Sequence, residues 1–275
     1  YQRRVRGMQN FTSSQAIPYN LNLPTDILDM ETDQLDDYMA AGCSDTNVYI
    51  YRLDQSQDSN KLAHVATLKA HQAPVIAVRW LSLKHGRVLV SADSNGGVFM
   101  HREQQQAFVK LQFVDLHTTV TDMAVTEKTL VVATIGEIYF FDISQLQLNL
   151  SQSQKLDVKL AISVCAVEFK QKLQVLVGTF DCRVILIVDQ QIQQVKLAKQ
   201  FTKPIRSVQL QQDLMSEQLM CCIVADSLVV GRLEGGQIAV QKEHDFPCGV
   251  KARFNVTGRV VGAVNEEGVS KLFDV

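Results

Sequence analysis

The residues of this chain that could do chemistry are few and scattered. Six cysteines stand at 43, 165, 182, 221, 222 and 248, with no C-x-x-C pair among them. Cys221 and Cys222 are adjacent, so in a strand their thiols point to opposite faces. That spacing argues against a zinc site and for small buried apolar residues in a reducing compartment. His71 and His117 each precede an apolar run, which suits a hydrogen-bonding role within a strand better than catalysis. No G-x-S-x-G, glycine-rich phosphate loop or H-E-x-x-H is present. Asp36-Asp37 and Glu266-Glu267 read as solvated turn carboxylates, not as a general acid–base pair. Gly96-Gly97 and Gly235-Gly236 read as turn glycines. Basic residues lie near an aromatic at Lys251, Arg253 and Phe254, and again at Lys203 and Arg206; gathered on one face, they could hold RNA phosphates weakly.

The elements that would position these groups are β-strands in a repeating order. AGCSDTNVYIYRLD at 41–54 runs from small residues through an acidic turn into an alternating strand. The same order returns in VLVSADSNGGVFMHR (88–102), VVATIGEIYFFD (131–142), VLVGTFDCRVILIVD (175–189), CCIVADSLVVGRLEGG (221–236) and VVGAVNEEGVSKLFDV (260–275). About six copies at a period of roughly 40–50 residues predict propeller blades. Each copy reads as a hairpin: an apolar strand, a tight turn of Asp, Asn or Gly near 45, 93, 136, 181, 226 and 266, then an outer strand. Small residues on the inner strands let sheets crowd around one axis. A further apolar strand leads into most copies, clearest in HQAPVIAVRW at 71–80, where Trp80 is expected in the core. Polar stretches at 54–61, 145–154 and 189–194 read as loops or edge strands, and no sustained helical period competes.

The totals agree with one large β domain. Of 275 residues, 46% are hydrophobic, enough for a sizeable core, and the net charge of −2 argues against a nucleic-acid coat. Neither a signal peptide nor a spanning segment is apparent, so no membrane insertion is expected. Residues 1–7 read as a leader and 8–275 as a single β-propeller domain. The expected fold class is all-β, a propeller of six or seven antiparallel blades.

HQAPVIAVRWLSLKHGRVLVSADSNGGVFMHRE resembles a degenerate WD repeat. It has the His-x-x-Pro-Val opening and the turn, with His101-Arg102 where the usual Trp-Asp would stand. LNLPTDILDMETDQLDDYMAAGCSDTNVYIYRL, TEKTLVVATIGEIYFFDIS and QVLVGTFDCRVILIVD are similar to one branch of that superfamily, the adaptors related to the mRNA-export factor of the nuclear pore and the spindle-checkpoint propeller. Asp181-Cys182-Arg183-Val184 stands where that branch carries an acidic-Gly-Arg-Val motif.

The resemblance implies a non-catalytic adaptor, without cofactor or metal, in the nucleus and cytoplasm and at the nuclear envelope. Its protein partner would be held through a short Glu-containing motif. The peptide-binding residues it implies are Arg183, with Asp181, Lys203 and Arg206 around it; a planar guanidinium suits bidentate pairing with a carboxylate. That branch has seven blades and this chain shows about six. The alternative is an open propeller of a secretory coat or pore scaffold, similar at 26–103 and completed by a partner's strands. The chain ends on SKLFDV with no following strand, so closure is expected from residues 11–25 or from a partner.

Overall fold

The computed structural model describes residues 25–275, except 34, 36, 54–61, 82–85, 106, 194, 198, 214–216, 256–258 and 268. It is a six-bladed β-propeller. Blade 1 holds β1 (Ile27–Thr32), β2 (Tyr38–Cys43), β3 (Val48–Leu53) and β4 (Leu62–Leu68). Blade 2 holds β5 (Val75–Trp80), β6 (Val88–Asp93), β7 (Gly97–Gln104) and β8 (Ala107–Asp115). Blade 3 holds β9 (Val120–Val125), β10 (Thr129–Thr134), β11 (Glu137–Asp142) and β12 (Gln154–Asp157).

The remaining three blades depart from this regularity. Blade 4 holds β13 (Ala161–Phe169), β14 (Lys172–Thr179), β15 (Val184–Val188) and a three-residue β16 (Gln191–Gln193). The chain then runs through β17 (Lys196–Leu197), which pairs in parallel with the outermost strand of blade 5. Blade 5 otherwise holds β18 (Ser207–Gln212), β19 (Leu219–Val224), β20 (Leu228–Glu234) and β21 (Gln237–His244). Blade 6 has three strands among the described residues, β22 (Gly249–Phe254), β23 (Val260–Asn265) and β24 (Ser270–Asp274).

All six turn words join antiparallel neighbours, as the sequence predicts. The turn chemistry is local. Asp93 accepts the Asn95 and Gly97 amides, both at 3.0 Å, and Gly96 between them sits at φ 109°, where a side chain would be strained. The first strands of the blades pack around the axis in the order β1, β5, β9, β13, β18, β22. β2, β6 and β19 are buried at every position. Gly42 shows why small residues lead the repeat: a Cβ there would lie 2.8 Å from the Val75 carbonyl oxygen of the next blade.

The stretch 145–154, read as a loop or edge strand, is a loop with a 3-10 turn at Leu150–Gln152 that enters the edge strand β12 at Gln154. One expectation is corrected. His117 does not bond inside its blade as His71 does: its side chain is 82% exposed and lies 3.3 Å from Asp115. The expected closing segment 11–25 lies, apart from Thr25, outside the described residues, as do Asp36 and the loop 54–61.

Candidate functional site

The axis of the ring carries a circuit of polar contacts from blade to blade. Asp29 on β1 accepts the Val78 amide of β5 at 3.1 Å and pairs with the Arg79 guanidinium. Arg79 reaches on to Asp122 of β9 at 2.6 Å and donates to the Met123 carbonyl at 2.7 Å. Asp122 accepts the Val164 amide of β13 at 2.9 Å. From β13, Ser163 donates to the Ile205 carbonyl at 2.9 Å and the Cys165 sulfur accepts the Leu210 amide at 3.2 Å. Ser207 of β18 accepts the Ala252 amide of β22 at 3.3 Å, and Lys251 of β22 returns to Asp29.

Burial pushes the Asp29 carboxyl up, but Arg79, Lys251 and the Val78 amide outweigh it and hold it well below the usual carboxylate range. Arg79, itself buried, stays charged because Asp29, Asp122 and Glu31 surround it. The contacts that carry this circuit are inter-blade staples. The alternation of VIAVRW hides them: a charged residue between Val78 and Trp80, in a strand with no exposed position, is the one signal that could have found Arg79.

Blade 2 holds a Ser–His–Asp set. His71 lies with Nδ1 2.8 Å from Asp93 and Nε2 2.7 Å from the Ser91 hydroxyl. The distances would suit a nucleophile and its base, but Ser91 is wholly buried under Phe99, whose ring lies 4.4 Å from His71. No reacting atom can stand beside that oxygen, so the set ties β6 to the loop that leads into β5. Trp80 is buried as expected and donates from Nε1 to the Glu31 carbonyl at 3.1 Å. Burial pushes the Cys43 and Cys221 thiols up to about 11 and about 12, which keeps them protonated. Among the described residues no cluster of His, Cys, Asp and Glu is placed to hold a metal, and no helix is long and apolar enough to cross a membrane.

Two open surfaces involve residues singled out above. The first is a cleft of about 550 Å³ between blade 6 and β1, lined by Met30, Lys251, Arg253, Gly262, Ser270 and Leu272. Leu272 is 72% exposed and Met30 48%, although both lie in strands. The second is a groove of about 980 Å³ beside blade 4, lined by Asp181, Arg183, Val184, Ile185, Lys159 and Leu197, among others.

The structure brings together two of the four predicted peptide-binding residues. Arg183 lies 59% exposed in the groove, with its Nε 2.7 Å from Asp181. Burial pushes the Asp181 carboxyl up slightly, but Thr179 and Arg183 bond it and leave it lower than usual. Lys203 and Arg206 are not in this groove, and Arg206 pairs with Glu266 of blade 6. Of the basic residues weighed for RNA, Lys251 is paired with Asp29 and Arg206 with Glu266. Glu266, expected as a solvated carboxylate, is half of that ion pair.

The chain is similar to Sec13 transport proteins. It is 34% identical to "Protein transport protein sec13" of Emericella nidulans over 94 residues, 31% of this chain and 29% of that protein. It is 36% identical to "Protein transport protein SEC13" of Chaetomium thermophilum over 93 residues, covering 32% and 29% of the two chains. The Yarrowia lipolytica SEC13 matches at 38% over 66 residues, 24% of this chain and 21% of its own length. The matches thus span less than a third of these relatives. No family model matches the chain.

Proposed function

We propose that the chain is a non-catalytic scaffold subunit: an open six-bladed propeller whose gap between blade 6 and β1 is filled by strands of a larger partner. One observation carries this reading. β24 pairs with β23 on one side and has no strand on its outer side among the described residues, and its Leu272 is 72% exposed beside Met30 in the same cleft. An apolar edge of that kind is a template for another strand. Similarity to Sec13 proteins supports a place in vesicle transport or the nuclear pore, as part of a coat or pore assembly. Localisation in nucleus and cytoplasm follows from the same reading. Residues 8–275 act as one domain.

The test is capture of the partner with the intact chain, followed by cross-linking from Lys271. Wild type should yield cross-links to one extended segment of the partner. Leu272→Arg should lose them while its melting temperature holds, because the change lies on an exposed edge. Unchanged capture by Leu272→Arg would sink the reading. Deleting residues 8–25 separates self-closure from an open ring: a marked drop in melting temperature would mean that the chain closes itself.

A second reading keeps the rim around Arg183, with Asp181, Lys203 and Arg206, as the dock for a short Glu-containing motif in export or checkpoint signalling. The exposure of Arg183 favours it. A partner carboxylate would then have to share or displace Asp181. Calorimetric titration with such a peptide tests it: Arg183→Glu should abolish binding by placing like charges together.

A further inference from the structure

Blade 4 differs from blade 2 in how its third strand is covered. In blade 2, β7 pairs with β8 along its whole length, from Gly97 to Gln104. In blade 4, among the described residues, β16 covers only Leu186, Ile187 and Val188 of β15, and the chain then runs to the outer edge of blade 5 as β17. The upper part of β15, at Val184, thus has no described strand beside it.

The register says which atoms are exposed there. The Thr179 amide donates to the Arg183 carbonyl at 3.0 Å, so residues 183, 185 and 187 turn their polar groups toward β14. Val184 and Leu186 turn theirs outward. Leu186 meets Gln193, whereas no described residue pairs with Val184 on that side. An N–H and a C=O thus face the 980 Å³ groove in the direction a further strand would occupy.

The two walls of the groove differ in chemistry. Val184 packs with the blade 5 cluster, together with Val195 and Leu197. Ile185 packs toward blade 3, and by alternation Arg183 shares that face. Lys159 lines the blade 3 side, is exposed, and makes no ion pair with the described residues. A strand laid on this edge would put one set of side chains against Val195 and Leu197, and the other set beside Lys159 and Arg183.

We propose that the bare edge of β15 is a strand-addition site for an extended partner segment that alternates apolar and acidic side chains. Backbone pairing at Val184 fixes its direction, the wall toward blade 5 takes its apolar residues, and Lys159 with Arg183 takes its carboxylates. The site is separate from the cleft at β24 and does not depend on it. It differs from the rim reading in making Val184, rather than Arg183, the anchor.

The experiment uses the full chain and a fluorescein-labelled, amidated peptide, Val-Glu-Val-Glu-Val-Glu-Val, followed by fluorescence anisotropy and amide hydrogen exchange. Saturable binding with slowed exchange at residues 182–186 is expected. The Val-Lys counterpart should bind at least about tenfold more weakly. Val184→Pro removes only the outward N–H and should weaken binding about tenfold or more. Lys159→Glu, on an exposed loop, should do the same without touching the strand, and so keeps the test valid if the proline variant fails to fold.

Equal binding by Val184→Pro, or protection at residues 270–274 instead, would overturn the proposal. Loss of binding in Arg183→Ala alone, with Val184→Pro unaffected, would also overturn it and leave the rim reading standing. Exchange at 182–186 already slow in the protein alone would mean that the chain covers its own edge. A dimer abolished by Val184→Pro would mean that a second copy does. Either result would remove the partner segment from the site.

Discussion

The seam between blades 1 and 2 and the seam between blades 6 and 1 do the same geometric job with different means. At the first, β1 meets β5 through Asp29 with the Val78 amide, Glu31 with the Trp80 amide, and the Arg79 ion pair. Behind them Tyr38, Val48, Ile50, Val78, Trp80 and Leu89 form one buried cluster. At the second, Lys251 reaches Asp29, while Met30 and Leu272 face an open cleft. Apolar area removed from water stabilises by about 25 cal/mol per Å², so the first seam is held by its packing and the second is not. The difference sets a packed joint of the ring beside an open one.

The sharpest way to break the comparison is at Arg79. Arg79→Ala would leave Asp29 and Asp122 facing each other's blades with their shared cation gone. Removing one member of a buried ionic group typically costs about 3–5 kcal/mol. Urea unfolding of the variant should show a loss of that size. A change under about 1 kcal/mol would mean that the circuit along the axis is incidental.

Next in size is a pH effect confined to blade 2. His101 stands where the Trp of a WD repeat would be, stacked on Phe99, with its Nδ1 buried and without a partner among the described residues. Burial, with His71 and Lys110 adding to it, pushes its pKa down from 6.5 to about 4. The unfolded chain therefore takes up a proton as pH falls through 6.5, while the folded chain resists until about 4. Stability from this group is complete above pH 6.5 and declines toward pH 4, by on the order of 3 kcal/mol at most. His101→Phe should flatten that part of the stability–pH curve. Blade 6 has no such histidine, so an equal slope in the variant would place the titration elsewhere.

The sequence carried the ring better than it carried the surfaces. Period, turn residues and alternation are local properties, and the six turns fall where Asp45, Asp93, Gly136, Asp181, Asp226 and Glu266 put them. The polar circuit could not be read, since Asp29, Arg79, Asp122 and Lys251 are separated by up to 222 positions and meet only when the ring forms. The bare edge of β15 was equally hidden. DQQIQQ at 189–194 reads as a loop or edge strand, and only the structure shows which of its described residues pair with β15.

Smaller effects should separate the two seams further. Lys251→Met removes a cation that is 37% exposed, so the pair with Asp29 is screened by solvent and should contribute about 1 kcal/mol or less. Arg79 still faces Asp29 in that variant, which therefore stays ionised through neutral pH. The urea midpoint should move far less than for Arg79→Ala, although both residues touch the same carboxylate. Equal losses would show that the seam between blades 6 and 1 is as tightly held as its neighbour.

The smallest effect is expected at the edge itself. Leu272 and Leu89 are the same residue type in strands of neighbouring design, one on the cleft and the other wholly buried. Leu89→Ala should cost about 2–5 kcal/mol, because a cavity opens in the cluster around Trp80. Leu272→Thr should stay within about 0.5 kcal/mol of wild type: the side chain is mostly in water already, and threonine keeps the strand preference. Differential scanning calorimetry on both variants decides the matter in one series. A large loss in Leu272→Thr would mean that the leucine is covered in solution, either by the chain's own residues before Thr25 or by a second copy. Dilution separates the two, because only a dimer has a melting temperature that falls with protein concentration.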